Sequence, residues 1–183
     1  MHGFLPFNPG NVDRDTMGSI AGATVRAMNA AISNCTQQDF TQLLDELADF
    51  WDGRDVRHLH HPMLIHEFGN SAFVIRHGTV VNAYLFGFLS QTEPVGYVHL
   101  IAVRASARRQ RLGELLFGHF VEHARQHACR HVKAITTPSN AGSIAFHRSL
   151  GMEMLGEPNA EGIPVVKDYA GRGEARVVFW KAV

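Results

Sequence analysis

The segment at residues 102–114, AVRASARRQRLGE, decides the fold, because a strand-like run breaks there into an arginine-rich turn and then opens a helix. The first turn of a helix carries N–H donors without helical partners and the positive end of the backbone dipole. An anionic diphosphate placed at that turn meets several donors at once. Arg104, Arg108, Arg109 and Arg111 add fixed positive charge around it. A second segment at 139–152, SNAGSIAFHRSLGM, follows at a spacing that leaves room for one long helix and one strand.

Upstream of the turn, residues 96–103 read as the central strand. Alternation predicts Tyr97, His99, Ile101 and Val103 on one face, with Val98, Leu100 and Ala102 on the other. Downstream, Leu115, Leu116, Phe120, Ala124 and Ala128 repeat at three and four residues, giving a helix over 112–128 with one core-facing stripe. A strand at 131–136, a helix at 141–150 ended by Gly151, and closing strands at 152–155 and 177–180 complete this half. In the first half, 23–28 reads as a short strand and 39–51 as a helix through Phe40, Leu43, Leu44, Leu47 and Phe50. Runs at 71–76 and 80–89 form a hairpin about His77 and Gly78. Residues 54–68, with four histidines, fit a short helix or an irregular stretch. The order predicts a mixed α/β sheet with at least one right-handed crossover.

At 183 residues and 45% apolar content the chain fits one domain over 19–183, with residues 1–18 as a loose arm outside the regular fold. Lys plus Arg equals Asp plus Glu at 17 each, so no global field favours nucleic acid, and no aromatic-basic interleaving surrounds the turn. No apolar run reaches membrane-spanning length, and the opening residues lack the pattern of a secretion signal, so a soluble cytoplasmic protein is expected. Two cysteines, Cys35 and Cys129, suit reduced thiols. Among twelve histidines, His58, His60, His61 and His66 lack a zinc signature, and His119, His123 and His127 share one helix face; neither set predicts a metal.

The two segments resemble those of the GNAT superfamily of N-acetyltransferases, over roughly residues 72–155. In that family the central strand ends in Val and a six-residue loop opening with Arg or Gln holds the pyrophosphate of coenzyme A. Val103, Arg108, Arg111 and Gly113 occupy those places, with Arg111 where glycine is usual and Ala105 where proline is common. The family's second motif, an Asn opening a helix, a small residue and an aromatic pair ending in Tyr, is matched by Asn140, Ser143, Phe146 and His147. The resemblance implies a mostly antiparallel central sheet flanked by helices and splayed where acetyl-CoA binds. It implies cofactor contacts from Ile101, Ala102 and Val103, from Arg108, Arg109, Gln110, Arg111, Leu112, Gly113 and Glu114, and from Asn140, Ser143 and Phe146, with no metal.

Acyl transfer to an amine needs a proton acceptor, a donor for the thioester oxygen and a proton for the departing thiolate. The resemblance puts the oxygen's donor among the backbone amides of 101–103. His99 is the candidate base, since imidazole titrates near neutrality and the serotonin N-acetyltransferase branch also has a histidine there. A water chain is the alternative, and so is a satisfied histidine on a sheet face. His147, at the tyrosine position, is the candidate acid; otherwise it is a surface histidine. The acceptor, a small-molecule amine or a peptide, is expected between 50–66 and 157–176, where Trp51, His60, His61, Asp168 and Tyr169 could face the entrance. A second reading is an acyl-CoA-binding regulatory protein with little catalysis. A homodimer is compatible with the sequence, which fixes no interface.

Overall fold

The computed structural model describes residues 31–183; the expected strand at 23–28 and the opening arm lie outside them. The described residues begin with β1 (Ile32–Asn34), α1 (Gln37–Asp45), α2 (Leu47–Trp51) and α3 (Met63–His66). Then come β2 (Ala72–His77), β3 (Val80–Leu89), β4 (Val95–Val103), α4 (Leu112–Gln126), β5 (His131–Thr136) and α5 (Ala141–Ser149). It closes with β6 (Glu153–Leu155), a two-strand ribbon of β7 (Glu157–Pro158) and β8 (Pro164–Val165), and β9 (Val177–Ala182). Among the described residues the main sheet runs β1-β2-β3-β4-β5-β9-β6, and only β4 and β5 are parallel neighbours. This is the expected mixed α/β architecture with a mostly antiparallel sheet.

Alternation along the strands feeds two cores. Phe73, Leu85, Val98 and Val132 pack with Leu116 and Phe120 of α4 on one face. Val74, Tyr84, Phe86 and Leu100 pack with Phe40 and Leu43 of α1 and Phe50 of α2 on the other. The continuous helix expected at 39–51 is two helices. Thr36 and Asp39 cap the first reciprocally, and the backbone leaves helical geometry at Glu46 (φ −112°, ψ 20°) before α2 resumes the same buried stripe. Both cysteines are buried and free, and burial pushes the Cys35 thiol up to about 12.

The feature that shapes the site is a bulge in β4. Gly87 pairs with Val98 and Phe86 with Leu100, so His99 is an extra residue in the ladder. The bulge exchanges the faces of everything after it. Val98 joins Ile101 and Val103 on the α4 side, while Leu100 and Ala102 pack on the α1 side. The strict alternation expected for 96–103, with Val98 beside Leu100 and His99 beside Ile101, is corrected accordingly.

Candidate active site

β4 and β5 pair only as far as Val98 and Ala134. Beyond that register the two parallel strands diverge. Arg104 N–H donates to Asn82 O (2.8 Å), which extends the β3 ladder. Counting back by twos, the main-chain groups of Ala102 and Leu100 also face β3, and those of Ile101 and Val103 face the side that β5 has left. Ala102, whose side chain is buried in the opposite core, is therefore not brought to the cleft.

The turn after β4 runs through a short 3₁₀ segment, Ala105–Ala107, into α4. Arg109 and Arg111 both have left-handed backbones (φ 63° and 60°), with Gln110 between them at negative φ. Left-handed residues are a common component of backbone turns that present N–H groups to anions. Leu115 N–H is the donor that reaches Arg111 O (3.0 Å), so the amides of Leu112, Gly113 and Glu114 precede the helical ladder. Gly113 is where three elements meet. A Cβ there would lie 3.1 Å from Cζ of Phe146 on α5 and 3.5 Å from Cγ2 of Val103 on β4. Of the residues expected to contact the cofactor, Val103, Gly113 and Phe146 thus adjoin at one seam.

The arginines are employed differently from the sequence reading. Arg104 turns away to α1 and α2, pairing with Glu46 and with Asp49 (2.7 Å), donating to Val81 O (3.0 Å) and lying over the Phe50 ring. Arg108 donates to Asp52 (2.8 Å) and to Phe50 O (3.1 Å). Arg111 forks onto Glu114 (2.7 and 2.6 Å), and that hydrogen bond holds the Glu114 carboxyl below its usual range. Arg109 is exposed and makes no ion pair among the described residues. Of four expected charges at the turn, one stands unneutralised.

Asn140 caps α5, its Oδ1 accepting from Ser143 N–H (3.2 Å). His147 is not on the surface. It is 4% exposed and stacked on Phe179 at 4.5 Å, with Nδ1 2.8 Å from Ser143 O. A carbonyl only accepts, so Nδ1 carries the proton and Nε2, buried without a partner among the described residues, carries a lone pair. Burial also lowers the affinity of the ring for a second proton. The expected donation from His147 to a thiolate does not fit this arrangement, because the nitrogen left over has no proton to give.

His99 stands at the bulge with Nε2 3.0 Å from Leu59 O. By the same logic Nε2–H is the donor, and Nδ1 of the neutral ring keeps its lone pair. Leu59 belongs to a 3₁₀ turn, Arg57–Leu59, that is anchored from beneath. Trp51 Nε1–H donates to Tyr84 Oη (2.6 Å), Tyr84 donates to His60 Nε2 (2.7 Å), and His60 Nδ1–H donates to Val56 O (2.9 Å). Trp51 and His60, expected at the acceptor entrance, are instead this buried relay. Sequence reasoning missed it because Tyr84 lies in an apolar run and nothing local marks its partners.

His99 also walls a cavity of about 300 Å³ with Leu59, Met63, Leu64, Phe68 and Phe88, and with exposed His58 and His61 on its solvent side. Residues 157–176 do not line it. Asp168, expected near that entrance, accepts from Gly173 N–H (2.6 Å) and holds its own loop. Among the described residues no three His, Cys, Asp or Glu side chains gather as metal ligands, and no helix is long and apolar enough to cross a membrane.

Burial lowers the proton affinity of His60 and His147, each against a backbone hydrogen bond that acts the other way. A ring whose folded proton affinity is depressed stabilises the fold above its unfolded value of about 6.5, and that stability is lost as pH falls, since the unfolded chain then binds more protons. The urea midpoint should therefore drop between about pH 7.5 and about pH 5.5. In His147→Phe the drop should be smaller; an equal drop would remove His147 from this account.

The model of the acetyltransferase (GNAT) family matches residues 30–152. The chain belongs to the GNAT family and is an acyltransferase of that type. Among solved structures, it resembles the ribosomal-protein-S18-alanine N-acetyltransferase of Escherichia coli (TM-score 0.61, 17% identity, covering 84% of this chain and 93% of that one). Ard1 of Thermoplasma volcanium aligns with TM-score 0.66 at 17% identity over 84% and 97% of the two chains. A Bacillus subtilis acetyltransferase in complex with CoA aligns with TM-score 0.57 at 12% identity over 85% and 99%. At these identities the likeness is one of fold. Comparison with curated protein sequences returns no match.

Proposed function

We propose that this acyltransferase moves an acetyl group from acetyl-CoA directly to a primary amine, with the diphosphate held by the main chain of residues 108–114 and with His99 as base. The observation that carries the reading is the seam at Gly113, where the vacated edge of β4, the open first turn of α4 and Phe146 of α5 adjoin. Its chemistry suits the carrier. Backbone amides and Arg109 answer the phosphates, and the amides of Ile101 and Val103 answer a pantetheine arm and a thioester oxygen. Acetyl-CoA bound there supplies an activated acetyl group.

The rest falls to this chain. An ammonium is not a nucleophile, so the acceptor must first lose a proton. Nδ1 of His99 is the lone pair available to take it, while the Leu59 carbonyl fixes the tautomer and the ring plane. As the new C–N bond forms the C–S bond breaks, and CoA leaves as a thiolate that takes its proton from solvent, while His147 and Ser143 pack and shape α5 beside the seam.

Calorimetric titration with acetyl-CoA should give saturable binding in about the micromolar range, displaced by CoA. Release of free thiol on adding primary amines should then separate an enzyme from a protein that only binds the carrier. A titration without heat and without competition by CoA would end the proposal.

A further inference from the structure

The cavity beside His99 has a composition that selects among amines. Leu59, Met63, Leu64, Phe68 and Phe88 make its wall apolar, and among the described residues its ionisable lining groups are histidines. Among the described residues no carboxylate and no lysine or arginine lines it. Its volume of about 300 Å³ matches a small ligand and not an extended one. It also lies next to the seam. His99 directly follows Val98, the last residue of β4 paired with β5, so the cavity wall and the vacated edge meet at the bulge.

We propose that this cavity takes the body of the acceptor, and that the acceptor is a small primary monoamine on an apolar or aromatic body. The inference rests on the acetyl transfer argued above and specifies its substrate. A polyamine or an aminoglycoside would bring a second ammonium into a wall that offers no carboxylate, and an unpaired buried cation is strongly disfavoured. A peptide would bring amides into the same wall, where they would lose water without finding partners. A monoamine loses its single charge to His99 as it reacts, and its apolar body replaces water against Phe68 and Phe88.

Initial rates of thiol release with 2-phenylethylamine, spermidine, kanamycin and the peptide amide Phe-Ala-Ala test this near neutral pH. In parallel, 2-phenylethylamine and spermidine are titrated calorimetrically into the protein saturated with CoA. The expected result is a kcat/KM for 2-phenylethylamine at least about tenfold above the other three, and binding of that amine alone. Met63→Glu, at a side chain 42% exposed and so tolerant of change, should lower the 2-phenylethylamine rate about tenfold and raise that of spermidine. Preference for spermidine, kanamycin or the peptide would overturn the inference while leaving acetyl transfer standing. Binding of 2-phenylethylamine that Met63→Glu weakens would support the site even without turnover, in which case the proposed catalysis fails instead. Neither binding nor acetylation of 2-phenylethylamine would overturn it.

Discussion

His99→Gln should lower turnover about a hundredfold while leaving the acetyl-CoA dissociation constant within about twofold. The expectation follows from the division of labour along β4. The amides at Ile101 and Val103 and the amides of α4 are backbone groups that the substitution does not touch, whereas the lone pair on Nδ1 is removed. A glutamine amide can still donate to Leu59 O, so the turn at Arg57–Leu59 should keep its place. The acid limb of the pH–rate profile should also disappear, a change that loss of packing alone does not produce. His60→Phe gives the graded counterpart. It breaks the Trp51–Tyr84–His60–Val56 relay and frees the turn that orients His99, so it should reduce kcat by less than His99→Gln and leave the acid limb in place. If His99→Gln retains full turnover with an intact acid limb, water and not imidazole removes the proton.

What the sequence made legible was the local grammar. The arginine turn opening a helix, the Asn140 cap, the hairpin and the stripe on α4 each depend on neighbours within a few residues, and each stands where it was expected. The bulge at His99 was not legible, because it depends on how β3 and β4 register across the sheet. It falls opposite Phe86 and Gly87, where a Cβ at position 87 would lie 2.5 Å from Phe120, so the close approach of the sheet to α4 there needs glycine. The roles of Arg104, Arg108 and Arg111 were missed for a similar reason. Their carboxylate partners Glu46, Asp49 and Asp52 are some fifty residues away in the chain, and only Glu114 is near enough to have been foreseen as a partner, three residues after Arg111 on the helix surface. His147 shows the opposite limit. The motif fixed its place on α5, but whether its free nitrogen donates or accepts is set by Ser143 O and by burial against Phe179.

Arg104→Ala and Arg109→Ala should separate the structural arginine from the one that meets phosphate. Arg104 is 12% exposed on its side chain and joins four features at once: the Glu46 and Asp49 carboxylates, the Val81 carbonyl and the face of Phe50. Truncation leaves Val81 O without its side-chain donor and unfastens the break between α1 and α2 from the end of β4. Breaking a buried pair costs about 3–5 kcal/mol, and because Glu46 and Asp49 remain partly solvated the loss here should be nearer about 2–3 kcal/mol. It should be read as a fall in the urea midpoint at unchanged slope, with acetyl-CoA affinity of the folded protein nearly preserved. Arg109 has the converse position: exposed, left-handed and without an ion pair among the described residues, so its removal should leave the midpoint unchanged. One charge-assisted contact to phosphate is worth about 1.5 kcal/mol or more, and Arg109→Ala should weaken acetyl-CoA about tenfold, with the difference shrinking as salt is raised. The reverse pattern, in which Arg104→Ala loses carrier affinity and keeps its midpoint, would mean that Arg104 swings from α2 to the diphosphate when the carrier binds.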